Sequence, residues 1–562
     1  MTTSSAPRPR RSVLRALALA ALVGGLTPVG PSSALAAEPE TFTLTIRHLD
    51  RTGLPATEYG TQVLGLAGEG ADKAVHPYDA SGTATVRLPR GRYMLNSALT
   101  DRREGISTDW IVQPRLDLDR DTTVTVDART TAPVDVRPPD PAAVFRRSGM
   151  FVEVSHGDVS REVNIVNATP SLRVAHLGPD AEPGSVRQWF DAYWSNDTAQ
   201  YALGQTFTGS RALTGLTRRY AQKDLATLRL RAGARPGTTG TARYDLQPKG
   251  DTTVSAYGQL TAPGTTTFHV TPDRGTWNMT YTAPTAPEGT PNRYVADITA
   301  RAGTTTTHTF DNPVFGPSLA GRPGAERDGG KLLMDVPMLA DGDGHAPSSP
   351  SYDTAFTTLT RDGVRIGTHS GTPGRAEFTV PPSRAAYRLT STVSRRSAAG
   401  ATTRATASWT FTSEAPTAKT PGKTALKTPG NTPLRTPGNT PLNTPGDTPL
   451  KTTGSSTPTK SPLPLSTVRF SPPLDATGTA TADTPVRVPV TVEGAAANGR
   501  VRSLRVSVST DGGASWTRLP VEDGAVTIHN PRAGTGVSLR AELTDTAGNT
   551  LEQTLVDAYR TE

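Results

Sequence analysis

Between Thr420 and Lys451 one eight-residue phrase occurs four times, passing from Thr-Pro-Gly-Lys-Thr-Ala-Leu-Lys through Thr-Pro-Gly-Asn-Thr-Pro-Leu-Arg to Thr-Pro-Gly-Asp-Thr-Pro-Leu-Lys. Such a segment cannot build a core. Its prolines remove backbone donors, its glycines raise the entropy lost on ordering, and one Leu or so per repeat buries too little apolar area to offset that cost. Residues 416–461 therefore read as a disordered Thr/Pro-rich linker. The sequence on both sides is patterned for β-structure, so the chain is expected to be a tandem of β modules divided by this spacer.

Residues 1–36 read as an export signal. Arg8, Arg10, Arg11 and Arg15 precede an apolar run from Ala16 to Leu26, and Ala34-Leu35-Ala36 forms a small-residue cleavage site, which starts the mature chain near Ala37. Arg10-Arg11-Ser12-Val13-Leu14 approaches the twin-arginine pattern, although Val13 stands where Phe is usual, so export by the general secretory or the twin-arginine route is expected. The apolar run is shorter than the ~20 residues of a membrane span, and no later segment is apolar enough to anchor the chain. A secreted, extracellular protein without a membrane span follows.

The chain has no cysteine, so disulfides, thiolate chemistry and Cys-ligated zinc are excluded and each domain must stand on packing alone. The formal net charge is +8, which invites a nucleic-acid reading until its distribution is followed. Four of those charges belong to the signal arginines and a net +5 to segment 416–461, leaving the remainder at −1. No folded basic footprint for nucleic acid is implied, and the lysines of the repeat serve to keep it solvated.

The fold class expected is all-β: several β-sandwich modules, immunoglobulin-like or transthyretin-like, in tandem. A first module, 38–130, opens with the alternating Thr41–Ile46, then offers a strand, a Pro/Gly turn and a return strand across Gly82–Tyr93, and closes with Thr122–Asp127. This pattern resembles transthyretin-like and carboxypeptidase-regulatory-like modules. A β-rich region, 140–283, carries strands at Met150–Val154, Glu162–Val166 and Thr227–Leu230 and a predicted short helix at Ser185–Trp194. Trp189, Phe190, Tyr193 and Trp194 there have a spacing that suits stacking on sugar rings and, more commonly, the packed face of a helical turn. In a third module, 284–415, Asp362-Gly363 signals a two-residue hairpin, and Phe378–Tyr387 echoes Val86–Tyr93. The last module, 462–562, is expected to be immunoglobulin-like. Its Ser509, Asp511, Gly513 and Trp516 fit the Asp-box hairpin, a structural element in which the carboxylate accepts backbone N–H groups, and Ala541–Asn549 resembles a late immunoglobulin-domain hairpin.

Few residues of the chain are spaced for chemistry. A serine hydrolase needs a nucleophile on a constrained turn beside a histidine and an orienting carboxylate. No Gly-x-Ser-x-Gly occurs, and the nearest text, Gly367-Thr368-His369-Ser370-Gly371, reads as a loop. The nine histidines show no His-x-His or His-Glu-x-x-His spacing, so no cofactor is implied. Asp341 and Asp343, in Asp341-Gly342-Asp343-Gly344-His345, are weak calcium candidates, since the bidentate Glu of an EF-hand loop is missing and a solvated turn is the commoner reading. Paired carboxylates for glycoside hydrolysis are a three-dimensional arrangement that sequence does not disclose.

Several phrases in order resemble a known family: Gly82–Tyr93, Val112–Leu118, Phe310-Asp311-Asn312-Pro313-Val314-Phe315-Gly316-Pro317, Leu339–Gly342 with His345, Arg361-Asp362-Gly363, Phe378-Thr379-Val380-Pro381, Trp409-Thr410-Phe411, Leu463–Phe470 and Asp557–Thr561. Together they are similar to the long carboxy-terminal accessory region of large secreted subtilisin-like serine peptidases of actinomycetes, over nearly all the mature chain except the octapeptide insert. The family's catalytic domain has no counterpart here, so no catalytic residue carries over. The resemblance implies a non-catalytic β protein that binds an extracellular protein, a peptidase or a cell-wall polymer. The alternative is a hydrolase, peptidase-associated or acting alone, with its site in 140–415.

Overall fold

A computed structural model describes residues 40–562 except 234–239, 251–253, 285–290, 396–400 and 417–459. The expected signal segment and the whole octapeptide repeat lie outside the described residues. Within them the chain forms thirty-seven strands and three short 3-10 turns, so it is all-β, built as separate sheets in tandem. No described helix is long and apolar enough to cross a membrane.

The first layer pair follows from alternation. Leu44 and Ile46 of strand Thr41–Leu49 point inward, and the strand lies between Thr83–Pro89 and Thr122–Asp127 in a three-stranded sheet. Facing it is a seven-stranded sheet that includes Tyr59–Gly68, Gly91–Asp101 and Ser107–Leu118. Tyr93, Leu95, Ile111, Leu118 and Val126 share the core between them. The large sheet also takes in Ala132–Arg137, Leu172–His176 and Leu216–Arg219, so hydrogen bonding runs past the expected boundary at 130.

The phrase Gly82–Tyr93 is not the hairpin its turn residues suggest. Thr83–Pro89 belongs to the small sheet and Gly91–Asp101 to the large one, so Pro89-Arg90-Gly91 is an arch that carries the chain from one layer to the other. Tyr93 braces it by donating its hydroxyl to the Pro89 carbonyl at 2.7 Å, and a Cβ on Gly91 would stand 2.5 Å from the Ala67 carbonyl oxygen. The echoed phrase does the same: Arg375–Thr379 and Ala385–Ser394 also lie in different sheets. A proline lacks the N–H that a hairpin ladder needs, which favours a corner over a return.

Behind the first pair stands a second seven-stranded sheet whose central strands are Val144–His156, Val186–Ser195 and Ala199–Gly209, followed by a four-stranded sheet with Gly240–Pro248 and Thr276–Thr282. The strands expected at 150–154, 162–166 and 227–230 lie in this second sheet. The predicted helix Ser185–Trp194 is instead its strand Val186–Ser195. A strand buried on both faces loses its period of two, and its apolar run then imitates a helix. Arg293–Thr299 and Thr305–Phe310 pair into these sheets, so the expected boundary at 283 is also crossed.

The largest departure concerns the repeat. Strand Arg404–Ser413, before it, pairs antiparallel with Thr550–Thr561 at the far end of the chain, with Trp409 opposite Leu551. One core runs from Val314 through Trp409 to Tyr559, so 284–415 and 462–562 are not two modules on a tether. The stems of the insert lie close together. Ala415 donates its N–H to the Pro382 carbonyl at 2.9 Å, Ser461 pairs with Arg327, and the buried Arg327 guanidinium donates to the Pro381 carbonyl at 2.5 Å. The octapeptide segment is thus an insertion into a single domain rather than a spacer between two. Asp362-Gly363 does form its hairpin, with both residues at positive φ (48° and 85°) and Arg361 opposite Val364. Such angles suit a two-residue type I′ turn.

Candidate functional sites

The aromatic cluster of 189–194 faces inward. Strand alternation sends Phe190 and Trp194 into the core between the two seven-stranded sheets and Tyr193 into the next core, where its hydroxyl bonds the Val254 carbonyl at 2.8 Å. Trp189 stacks on Phe151 at 5.1 Å. All four are buried, so none offers a platform for a sugar. Between them sits a fully buried ion pair, Asp191 with Arg274 at 3.2 Å. It depends on Gly204, where a Cβ would stand 2.4 Å from Asp191 Oδ1 and 2.5 Å from Arg274 Cγ.

The Asp box is built as its residues imply. Asp511 takes hydrogen bonds from the Ser509 hydroxyl at 2.6 Å, the Ser515 hydroxyl at 2.5 Å and the Ser515 N–H at 3.0 Å, and these donors hold its carboxyl well below the usual carboxylate range. Gly512 and Gly513 occupy positive φ, as the turn requires. Trp516 closes it by donating Nε1–H to the Gly513 carbonyl at 3.0 Å, with Arg540 4.1 Å over its ring. The side chains of Ser509, Asp511, Ser515 and Trp516 all bond within the hairpin, as a structural element would.

Asp343 is exposed in the solvated turn that the sequence suggests, but Asp341 is not. Asp341 is fully buried and accepts the N–H groups of Asp311 at 3.2 Å and His345 at 2.8 Å, with His345 Nδ1 also 3.2 Å away. Asp343 accepts the Thr309 N–H at 2.7 Å. The carboxylates are therefore aimed at backbone donors and tie the end of Thr305–Phe310 to the 341–345 loop. Burial opposes a charged imidazole at His345, but its bond to Asp341, the charges of Asp341 and Asp343 and a contact with the Thr309 backbone together outweigh that and raise its pKa. Among the described residues no group of three or more His, Asp or Glu is placed to hold a metal ion. His369 and Ser370, expected in a loop, lie in the exposed edge strand Val364–Ser370.

One arrangement escaped sequence reasoning because its members are far apart in the chain. His48 is 1% exposed. Its Nδ1 donates to the Gly82 carbonyl at 3.1 Å, which leaves Nε2 as an acceptor facing the hydroxyls of Thr61 (2.7 Å) and Ser97 (3.1 Å), which also bond each other. The pairing resembles a nucleophile beside its base, but Ser97 is wholly buried and no substrate reaches it. Burial lowers the His48 pKa from 6.5 to about 4, partly opposed by the Gly82 carbonyl. An imidazole protonated only in the unfolded state lowers stability as pH falls from about 6.5 to about 4, by at most about 3 kcal/mol, and adds nothing outside that window. Urea melts at pH 7.5 and pH 4.5 are expected to show this loss in the wild type, while His48→Gln, weaker at pH 7.5, loses correspondingly less on acidification.

An open cleft of about 350 Å³ lies between the second seven-stranded sheet and the four-stranded sheet, lined by Arg146, Arg147, Asn196, Asp197, Gln200 and Tyr257 among others. Tyr257 is 59% exposed and lies under the Arg147 guanidinium at 3.8 Å, while Arg146 donates to the Ser195 hydroxyl at 2.6 Å. The lining contains no histidine and Asp197 as its single carboxylate. It can bind a polar ligand but lacks the base–nucleophile pair or the two carboxylates that hydrolysis needs.

No family model matches the chain, and no curated protein does. Among solved structures it is similar to the Bacillus anthracis TIE protein (11% identity, 62% of this chain and 69% of that one, TM-score 0.14) and to BcpA, the major pilin subunit of Bacillus cereus (10%, 48% and 99%, TM-score 0.13). A third is E. coli alpha-2-macroglobulin in its native conformation (10%, 93% and 40%, TM-score 0.14). Scores this low define no common framework, and the fold class rests on the strands themselves.

Proposed function

We infer that the chain is a secreted, non-catalytic β protein that binds an extracellular protein, polymer or surface, and that it corresponds to the accessory region of subtilisin-like peptidases. The observation that carries the binding reading is the cleft beneath Arg147, where an exposed tyrosine is held by a cation–π contact at the junction of two sheets. Holding an exposed aromatic ring in place before contact lowers the entropy cost of binding, and mixed polar and aromatic linings are typical of recognition sites. The buried or consumed states of His48, Ser97, Asp341 and His345 fit the same reading.

The test uses the mature chain from Ala37. Co-sedimentation with envelope preparations from actinomycete cells is expected to deplete it from solution, and Tyr257→Ala with Arg147→Ala is expected to weaken that at least tenfold. A fluorophosphonate probe is expected to label no serine. Stoichiometric labelling of one serine, or hydrolysis of casein or cell-wall glycan, overturns the non-catalytic reading.

A further inference from the structure

We propose that a second groove, in the amino-terminal sandwich, binds a neutral oligosaccharide; this rests on the binding reading above and assigns it a ligand class. The groove opens where the outer face of strands Tyr59–Gly68, Gly91–Asp101 and Ser107–Leu118 emerges beside strand Val159–Asn167 of the neighbouring sheet. Its volume is about 460 Å³, within the ~300–1,000 Å³ usual for small-ligand sites.

Its floor is a relay of fixed amides. Trp110 Nε1–H donates to Asn96 Oδ1 at 3.3 Å, Asn96 Nδ2 donates to Gln62 Oε1 at 3.0 Å, and Gln62 Nε2 meets His76 Nε2 at 3.2 Å. Each amide is oriented by its neighbour and retains further donor or acceptor capacity. The exposed Asn164 adds a whole amide at the opposite wall. Sugar hydroxyls, which donate and accept at once, match such a set.

The aromatic element is Tyr78, 62% exposed. A stack leading out of the core holds it: His48 on Tyr59 at 3.7 Å, then Tyr59 on Tyr78 at 5.1 Å, with the Tyr78 hydroxyl on the Thr57 carbonyl at 3.3 Å. A ring fixed in advance gives up little freedom on binding, and its face suits the C–H face of a pyranose.

Charge decides the class. Twenty per cent of this chain is Asp, Glu, Lys or Arg, yet none of these residues lines the groove. Phosphate, nucleic acid and uronate ligands need cations that the lining does not supply.

The experiment is calorimetric titration of the mature protein with short linear β-1,4-glucan, α-1,4-glucan and β-1,4-linked N-acetylglucosamine oligosaccharides at millimolar concentration, with an oligouronate for comparison. At least one neutral oligosaccharide is expected to bind with the same Kd at 50 and 500 mM NaCl, since no ion pair is involved. Tyr78→Ala is expected to weaken it at least tenfold and Asn164→Ala at least threefold, with the Asn164→Ala melting temperature unchanged and that of Tyr78→Ala lowered by no more than a few degrees, since only its contacts to Tyr59 and Thr57 are lost. Tyr257→Ala, in the other cleft, is expected to leave it unaltered. Failure of every neutral oligosaccharide to bind, tighter binding of the oligouronate, or affinity that survives both groove substitutions overturns the assignment. Envelope co-sedimentation separates the two readings: if it persists while the titrations fail, only the groove assignment falls.

Discussion

Stopping the chain after Pro416 is expected to unfold everything from Val314 onward, whereas excising 417–459 and bridging the gap with about ten Gly/Ser residues is expected to leave the domain as stable as before. Truncation strips strand Arg404–Ser413 of its partner Thr550–Thr561 and removes Leu465, Phe470, Leu551, Leu555 and Tyr559 from the core around Trp409. It also takes away the Ser466 carbonyl to which Trp409 donates its indole N–H at 2.6 Å. Each fully buried large side chain is worth about 1.5–3 kcal/mol, so these losses together match or exceed the ~5–15 kcal/mol by which a domain is stable. The bared strand also becomes a template for aggregation. Excision acts oppositely, because shortening a loop from 43 residues to about ten recovers on the order of 1 kcal/mol of closure entropy. Circular dichroism melts of the two variants decide the matter. A folded, cooperative truncation product would mean that the repeat separates two independent modules after all.

That same example marks what the sequence makes legible. Patterning identifies Arg404–Ser413 as a strand, since Ala405, Ala407, Trp409 and Phe411 alternate with polar residues, but periodicity carries no information on a partner about 150 residues away. A proline-rich repeat between two β segments reads as a tether when its ends are not known to meet. The Asp box is legible because all its hydrogen bonds close within a few residues of Asp511. The hairpin at Asp362-Gly363 is legible for the same reason. His48, whose partners sit at 61, 82 and 97, is not, and neither is the groove of Gln62, Asn96, Trp110 and Asn164, assembled from four strands. Asp341 misleads differently: Asp-Gly-Asp-Gly has the composition of a solvated turn, and only the Asp311 N–H, His345 stacked on Phe310, and Arg469 on its carbonyl make Asp341 a buried joint. The aromatic run at 189–194 fails as a helix because burial on both faces of a sheet erases the alternation that identifies strands.

Replacing Arg469 with Leu is expected to cost about 3–5 kcal/mol, although the residue makes no direct ion pair at hydrogen-bond distance. Its guanidinium, buried in strand Ser466–Phe470, donates to the carbonyls of Gly316 (3.2 Å), Val314 (3.4 Å) and Pro317 (3.4 Å) and to that of Asp341. Burial lowers its pKa, and the charges of Glu493, Asp341 and Asp343 work against that. Glu493 grips the same segment from its other side, accepting the Leu319 N–H at 2.7 Å and the hydroxyls of Ser318 (3.1 Å) and Thr467 (2.9 Å). Residues 314–319 lie in no named strand, so these two side chains add to the few backbone bonds the segment has, the Gly316–Ala340 bridge and the Ser318 N–H on the Pro337 carbonyl. Leucine leaves the Val314 and Pro317 carbonyls without that donor, at about 1–3 kcal/mol for each that water cannot reach, while Gly316 and Asp341 keep the N–H groups of Ala340 and Gly344, and it removes the opposite charge that Glu493 feels. Lysine restores a charge but not the planar fork that spans several acceptors, so Arg469→Lys is expected to recover less than half of the loss. The exposed pair Arg388–Glu552, at 2.8 Å, is the internal contrast: Arg388→Ala is expected to cost under about 1 kcal/mol. Urea denaturation of the three variants measures the order directly, and an Arg469→Leu protein as stable as Arg388→Ala would show that the 314–319 segment holds its place without the guanidinium.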